Sequence, residues 1–385
     1  MIRAAFVVAS ISRKGGGVAE AVKLLAKAVR EHPNISVEVV TLKDEHFDKD
    51  IADWSGIKVT SFRYFGPSNY GFSPGLLMHM LRGNFDLSHV HGLWMFHCFV
   101  VLLWSRIRGK PYVVTPHGTM EQWIVSRSPV KKWLVSKMYQ ARFLKRASAF
   151  HILTKKEKTD VDSMVRNGTS MVIPNFLPLA KPTTNKPQWW EDRFQHKKIY
   201  LFFGRIHEKK GWRELCEAWN HQCSTDAGFA ARSQLVFCGW LDGSEDFRMR
   251  VEALRRAHGN ACYAGPQFGD DKTTSIQAAT VFVLPSKSEG LPMGVLEAWS
   301  AGIPVLMTAA CNLSIGFDEG AALEIGEASE AISAGLHTAD SWSQHDLERM
   351  SSAGRQLIRE RFSTESVSTK VHNLYEYVLK DVRFS

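Results

Sequence analysis

The chain opens on an apolar run at residues 4–9 and a polar, glycine-rich stretch at 10–17. Val18, Val22, Leu25, Ala26 and Val29 then recur at the spacing of one helix face. A run of six apolar residues suits a strand buried on both faces, so the start reads as strand, loop, helix. Short apolar runs bounded by turn residues return at 36–42, 87–90, 112–115, 149–153 and 171–173, with room for helices between several of them. That alternation predicts a parallel sheet covered on both sides. Around Ile173-Pro174-Asn175-Phe176-Leu177-Pro178, with Pro182 and Pro187 beyond, the pattern gives way to a proline-rich connector. A second series follows, with strands expected at 199–203, 234–238, 261–263, 281–284 and 304–307 and helices at 212–220, 247–258, 270–279 and 294–301.

The expected architecture is therefore α/β: two doubly wound, Rossmann-like domains at 1–177 and 197–362, a linker at 178–196, and a closing helix at 363–385. Ser363 or Thr364 can cap that helix, and its face of Val367, Val371, Leu374, Tyr375 and Val378 must dock somewhere. A length of 385 residues supports this division, since a single core stops growing at roughly 250–300 residues. With 44% apolar and 23% charged residues the composition is that of a globular protein, which excludes wholesale disorder and a collagen-like repeat.

Charge changes the picture more. The formal net charge is +9, yet residues 1–190 carry 27 Lys and Arg against 13 Asp and Glu, while residues 191–385 carry 21 against 26. The excess belongs to the first half and peaks between Arg127 and Lys158, where Glu157 is the lone acid. Over 129–150, Lys131, Lys132, Lys137, Arg142, Lys145 and Arg146 interleave with Trp133, Leu134, Met138, Tyr139, Phe143 and Leu144. Such a helix reads as a peripheral contact with an anionic membrane or as a core-facing helix with a solvated basic side. A nucleic-acid binder is the weaker use of this charge, because no reading module accompanies it. The longest apolar stretch, 93–104, is interrupted by His97 and falls short of the roughly 20 residues that span a bilayer. With no secretory h-region and no C-x-x-C among six cysteines, a cytoplasmic protein with reduced thiols is expected, at most peripheral at the inner face of the plasma membrane.

Four loops carry candidate chemistry. The first, Ser10-Ile11-Ser12-Arg13-Lys14-Gly15-Gly16-Gly17, sits between a strand and a helix, where glycines admit close backbone approach and a helix start attracts an anion. It is neither a Walker loop nor a dinucleotide fingerprint. The second, Thr115-Pro116-His117-Gly118, follows a strand end, the side on which open α/β sheets bind ligands. His89, His91 and His97 precede it at a spacing that alternates over a strand and a loop, and no metal site is read there. The third, Gly204-Arg205-Ile206-His207-Glu208-Lys209-Lys210-Gly211, offers two cations to a diphosphate, a planar fork and a point charge. In the fourth, residues 285–299, Glu289 and Glu297 flank a glycine-containing helix start from Gly290 to Gly294, and a carboxylate suits a vicinal diol.

These residues resemble the retaining GT-B glycosyltransferases of family 4. The run from Ser288 to Val305 resembles the family's Glu-x7-Glu signature through Glu289 and Glu297. The run from Gly204 to Gly211 resembles its Gly-Arg-Leu-x3-Lys-Gly phosphate motif, and Ile173-Pro174-Asn175 and Arg361-Phe362-Ser363-Thr364-Glu365 resemble its domain junction and crossing helix. The resemblance implies two Rossmann-like domains facing a cleft, with the C-terminal helix crossing back to the first. It also implies transfer of a hexose, with retention, from a nucleotide diphosphate sugar, UDP by default, to a glycan or lipid-linked saccharide in polysaccharide assembly, without a metal or other cofactor. Arg205 and Lys210 would then neutralise the departing diphosphate, Glu297 would hold the ribose, Glu289 the transferred sugar, and His117 would contact or position that sugar. Gly16 and Gly17 would line the cleft, Gly265 and Pro266 would lie near the base, and Leu291, Pro292, Met293 and Gly294 would face the donor. Leu291-Pro292-Met293 departs from the aromatic-glycine stretch usual there. The rival readings are a nucleotide-sugar epimerase of the same architecture, a glycoside hydrolase using Glu289 and Glu297, and the nucleic-acid binder.

Overall fold

A computed structural model of the chain describes residues 1–120, 135–165 and 168–381. It divides into two compact units, one of Met1–Phe176 with Thr364–Ser385, the other Leu177–Ser363. The first holds seven strands, β1 (Ile2–Val8), β2 (Ile35–Leu42), β3 (Lys58–Phe62), β4 (Leu87–His91), β5 (Tyr112–Thr115), β6 (Ala149–Ile152) and β7 (Ser170–Val172). They form one parallel sheet in the order β3-β2-β1-β4-β5-β6-β7. The second holds β8 (Lys198–Phe203), β9 (Ser233–Cys238), β10 (Ala261–Gly265), β11 (Val281–Leu284), β12 (Val305–Met307) and β13 (Ala322–Glu324), parallel in the order β10-β9-β8-β11-β12-β13. In both sheets the order reverses once, between β1 and β4 and between β8 and β11. Ligands of such sheets bind outside the carboxyl ends of the strands at that point.

Burial on both faces explains why the strands are apolar throughout. Along β1, Ala4, Phe6 and Val8 enter one core and Ala5 and Val7 the other. The helix Thr364–Asp381 belongs to the first unit, where Val367, Val371, Leu374, Tyr375 and Val378 are completely buried in the core that also holds Phe6, Val22, Ala26 and Val29. Two strands escaped the sequence reading. In β3 only Val59 and Phe62 are apolar and the strand lies at a sheet edge, half exposed; β13 is an edge strand of three residues.

Residues 178–196 are not a free linker but pack on the second unit. The Ala180 amide donates to Ser300 Oγ at 2.8 Å, the Thr183 amide to Gln277 Oε1 at 2.9 Å, and Trp189 Nε1 to Ser275 Oγ at 2.8 Å. In the basic segment 129–150, Lys131, Lys132, Trp133 and Leu134 lie outside the described residues. Beyond them Tyr139, Phe143 and Leu144 are buried in the core, so these side chains offer no apolar face to a leaflet. Arg142, Lys145 and Arg146 remain exposed, the arrangement of a core-facing helix with a solvated basic side.

Candidate active site

In the second unit, the loop after β8 and the loop after β11 run side by side because the two strands are hydrogen-bonded neighbours. Gly211 makes the approach possible. It has φ +70°, and a Cβ there would stand 1.9 Å from the Pro285 carbonyl oxygen. The loops are stitched by the Lys287 amide donating to Lys209 O at 2.8 Å and by Ser286 Oγ donating to the same oxygen at 3.2 Å. Lys210 Nζ then reaches Glu289 Oε1 in an ion pair, with side chains 15% and 8% exposed, and Ser286 Oγ donates to the same carboxylate oxygen at 2.6 Å. Burial opposes the charge on Glu289, but Lys210, then Lys209, and the two hydrogen bonds outweigh it and hold the carboxyl below its ordinary range. Asn312, in a left-handed turn at φ +57°, donates through Nδ2 to the carbonyls of Glu289 and Gly290 and fixes the loop.

Arg205 pairs with Asp242 Oδ2 at 3.2 Å, both about half exposed, and an exposed pair of this kind is held by only about 0–1 kcal/mol. Its guanidinium is thus free energetically to turn to an anion. Glu297, partly exposed on the helix Met293–Ala301, pairs with Lys272 Nζ at 2.5 Å on the helix Gly269–Gln277. Gly294 lies one turn earlier on the same face. A Cβ on it would meet Phe282 Cζ at 3.1 Å, so glycine lets this helix start sit close over β11. Leu291, Pro292 and Met293 are buried, and what they can present is backbone. Gly265 ends β10 and accepts the Gly239 amide at 2.9 Å, with Pro266 next in the chain.

The first unit assembles differently. Ser12 caps a short turn into the helix Gly16–Arg30, and Ser10 and Ser12 donate to Asp44 at 2.6 and 2.8 Å. Arg13 is forked onto Asp50 and Lys14 pairs with Glu45, so the loop's cations are bound by acids after β2. Gly16 adopts φ +54°, and Gly17 borders open space. His117 and Gly118 both take positive φ, at 54° and 74°, which swings the chain sharply away from β5. A non-glycine residue held there stores strain of a kind that clusters at functional sites. Glu157, buried, clamps this turn, accepting the Gly118 amide at 2.6 Å and the Leu153 amide at 2.7 Å.

His117 also belongs to a cluster of imidazoles at the carboxyl ends of β4, β5 and β6. Its Nε2 lies 3.1 Å from His91 Nδ1; His89 bridges Tyr375 Oη and Thr115 Oγ1, each at 2.7 Å; His151 Nε2 donates to Ile173 O at 2.8 Å. His91, His117 and His151 line a cavity of about 10 Å³ together with Thr115 and Asn175. Burial, then the neighbouring imidazoles, keeps the rings neutral: His117 is pushed down to about 3, and His151 to about 4 by burial. Among the described residues no group of three or more His, Cys, Asp and Glu is arranged to hold a metal ion, and all six cysteines are free.

Thus the structure brings Lys210 and Glu289, which the sequence placed in separate loops with separate roles, into one ion pair, while Arg205 and Glu297 are each held by a partner, Asp242 and Lys272, that the reading did not single out. Glu157 was seen only as the lone acid of a basic stretch. His91 was set aside as a metal ligand; its position at the carboxyl end of β4, immediately before Gly92, was the available signal for another role.

Residues 15–181 match the model of glycosyltransferase family 4, and residues 197–337 that of the glycosyl transferases group 1. The chain is 24% identical over 402 residues to GDP-mannose:cellobiosyl-diphosphopolyprenol alpha-mannosyltransferase of Komagataeibacter xylinus, covering 94% of this chain and 90% of that one. It is 26% identical over 287 residues to UDP-Gal:alpha-D-GlcNAc-diphosphoundecaprenol alpha-1,3-galactosyltransferase of Escherichia coli, covering 70% of each. Anabaena HepE in complex with UDP and glucose superposes with a TM-score of 0.76 at 16% identity over 98% of this chain and all of that one. With two parallel Rossmann-like sheets reversing at their ligand-binding ends, and with family models matching most of both units, the chain belongs to glycosyltransferase family 4 and has the GT-B fold.

Proposed function

We propose that the enzyme transfers a hexose, with retention of configuration, from a nucleoside diphosphate sugar to a hydroxyl of a saccharide carried on a lipid diphosphate. The observation that carries this is the buried Lys210–Glu289 pair at the reversal point of the second sheet, with Arg205 and Glu297 on the adjoining loop and helix. Lys210 has three donors, so one can stay on Glu289 while others meet a diphosphate oxygen. Arg205 supplies a fork to the same group, and the amides at the start of the helix Met293–Ala301 add the positive end of a dipole. Charge builds on the diphosphate as the anomeric bond breaks, and stabilising it is the largest need of the reaction. These cations meet that need without a metal. Glu297 takes the ribose diol, and Glu289, ionised and fixed by Ser286 and Asn312, takes hydroxyls of the sugar. The acceptor oxygen bonds to the anomeric carbon as the phosphate oxygen leaves, and the acceptor's proton passes to that oxygen on the same face. The first unit's His117 serves the sugar side.

The lipid-linked acceptor is supported by the two relatives, whose names specify saccharides on polyprenyl diphosphates, and by the basic excess of the first half. One of them takes GDP-mannose and the other UDP-galactose, so the base is decided by experiment: melting the protein with UDP, GDP and ADP, then assaying transfer from the sugar nucleotide of the stabilising base. Stabilisation by one diphosphate and a product with the donor's anomeric configuration are expected. No stabilisation by any of the three, with no transfer, returns the epimerase and hydrolase readings.

A further inference from the structure

The imidazole cluster of the first unit is more than the proposed reaction uses. His91 is 2% exposed at the end of β4, and its Nδ1 faces His117 Nε2 at 3.1 Å; neither ring is paired with an acid among the described hydrogen bonds. Between two neutral rings one nitrogen must donate and the other accept. The neighbouring ring shows how this cluster settles the choice. His151 Nε2 faces a carbonyl, which can only accept, so the proton is on Nε2 and the ring nitrogen without a protein partner, Nδ1, is the bare one. A bare ring nitrogen is the less costly group to leave unpaired in the interior, since orphaned N–H donors are the rarer defect. His91 presents the same case inverted, because its buried Nε2 has no protein partner and its Nδ1 is the nitrogen that does.

We infer that His91 is a positioning residue: it carries its proton on Nδ1, donates it to His117 Nε2, and thereby fixes His117 as the Nδ1–H tautomer with its ring held in one orientation. This inference rests on the reading of His117 as a group that meets the sugar. It deepens that reading, since His117 then offers substrate a hydrogen-bond donor and is not a general base. The strained turn fits the assignment. Glu157 fixes the backbone through Gly118, His91 fixes the ring, and together they leave one nitrogen of His117 for a ligand. His91 touches no reacting atom in this scheme and acts only through His117.

The test joins a spectroscopic and a kinetic readout on the full-length protein. With ¹⁵N-labelled histidine, and the His117 signals assigned by their loss in His117→Asn, wild type at pH 7.5 shows His117 protonated at Nδ1. The His91→Asn amide, which can donate from the place of Nδ1, keeps that signature, and His91→Ala loses it. In the transfer assay His91→Ala lowers kcat by about 10²-fold, the scale of a misplaced catalytic contact, while melting shifts with the nucleoside diphosphate stay as in wild type. His91→Asn recovers to within about fivefold of wild type, because it restores a donor and not merely volume. Protonation of His117 at Nε2 in wild type overturns the inference, as does a His91→Asn variant no better than His91→Ala, or an unchanged kcat in His91→Ala. If wild type neither transfers a sugar nor is stabilised by a diphosphate, the proposed function fails instead, and the ring spectra still judge the tautomer.

Discussion

The ion pair between Lys210 and Glu289 puts two charges where water hardly reaches, so the two cannot be treated as independent. Removing one partner of such a pair typically costs about 3–5 kcal/mol, because it strands the other. Lys210→Met is therefore expected to destabilise the protein on that scale and to abolish transfer. Lys210→Met combined with Glu289→Gln should recover much of the stability and none of the activity, as urea unfolding and the transfer assay would show. The histidines make a second prediction at this scale. The folded rings of His117 and His151 stay neutral down to about 3 and about 4, whereas an unfolded histidine protonates near 6.5. From pH 6.5 down to about 4 the unfolded chain binds protons that the folded chain refuses. Each such ring then lowers stability by about 1.4 kcal/mol per pH unit of acidification, and the full stability is present above 6.5. Glu289, held below its ordinary range, adds its own loss only at lower pH, once acidification passes the ordinary carboxylate value. Melting temperatures should hold level from pH 7.5 to about 6.5 and fall from there to pH 5; a profile that stays flat to pH 5 would contradict a neutral buried cluster.

At the scale of elements, the active-site loops hang from strand ends whose packing tolerates little. Gly211, at φ +70° and in contact with the Pro285 carbonyl, is the entry to the helix Trp212–Thr225 and the hinge that places Lys210 beside Glu289. Gly211→Ala adds both backbone strain of about 1–3 kcal/mol and a clash with a carbonyl that no rotamer can relieve. It is expected to lower the melting temperature and weaken diphosphate binding together, whereas Gly17→Ala, which meets open space, should leave the melting temperature nearly unchanged. Most of these elements were legible. Both sheets are buried on two faces, so their strands are short unbroken apolar runs and their loops stand out as glycine, proline and charge. What escaped were edge strands β3 and β13, where one flank is solvent and the apolar signal thins, the helices Ser329–Asp340 and Gln344–Arg361, and the partner of each charged side chain, which a linear spacing does not name. Lys272 and Glu297 lie 25 positions apart and meet only because the helices Gly269–Gln277 and Met293–Ala301 pack against each other.

For the whole molecule the charge asymmetry remains the least specific feature and the most constrained by the structure. No helix among the described residues is long and apolar enough to cross a membrane. Because Tyr139, Phe143 and Leu144 are committed to the core and Met138 is the exposed large apolar side chain among the described residues of 135–150, attraction of this described stretch to an anionic bilayer would rest mainly on its cations, at about 1 kcal/mol for each near the surface. Sedimentation with anionic vesicles at low salt is expected, reversed fully by about 0.5 M salt, where the screening length falls to a few ångströms, and weakened by replacing Arg142, Lys145 and Arg146 with Gln. Binding that survives high salt would require an apolar anchor in addition to these cations. The sequence by itself determined the parallel two-sheet architecture and the four loops at strand ends, because burial, backbone freedom and charge act locally and leave local marks. Only the tertiary structure decided that residues 178–196 pack on the second unit and that the apolar side of 139–144 points inward. It also decided that Glu289 is buried against Lys210 and that His117 is met by His91. Each of those depends on which surfaces come together when the chain closes, and a side chain's neighbours across a sheet are set by that closure, not by its position in the sequence.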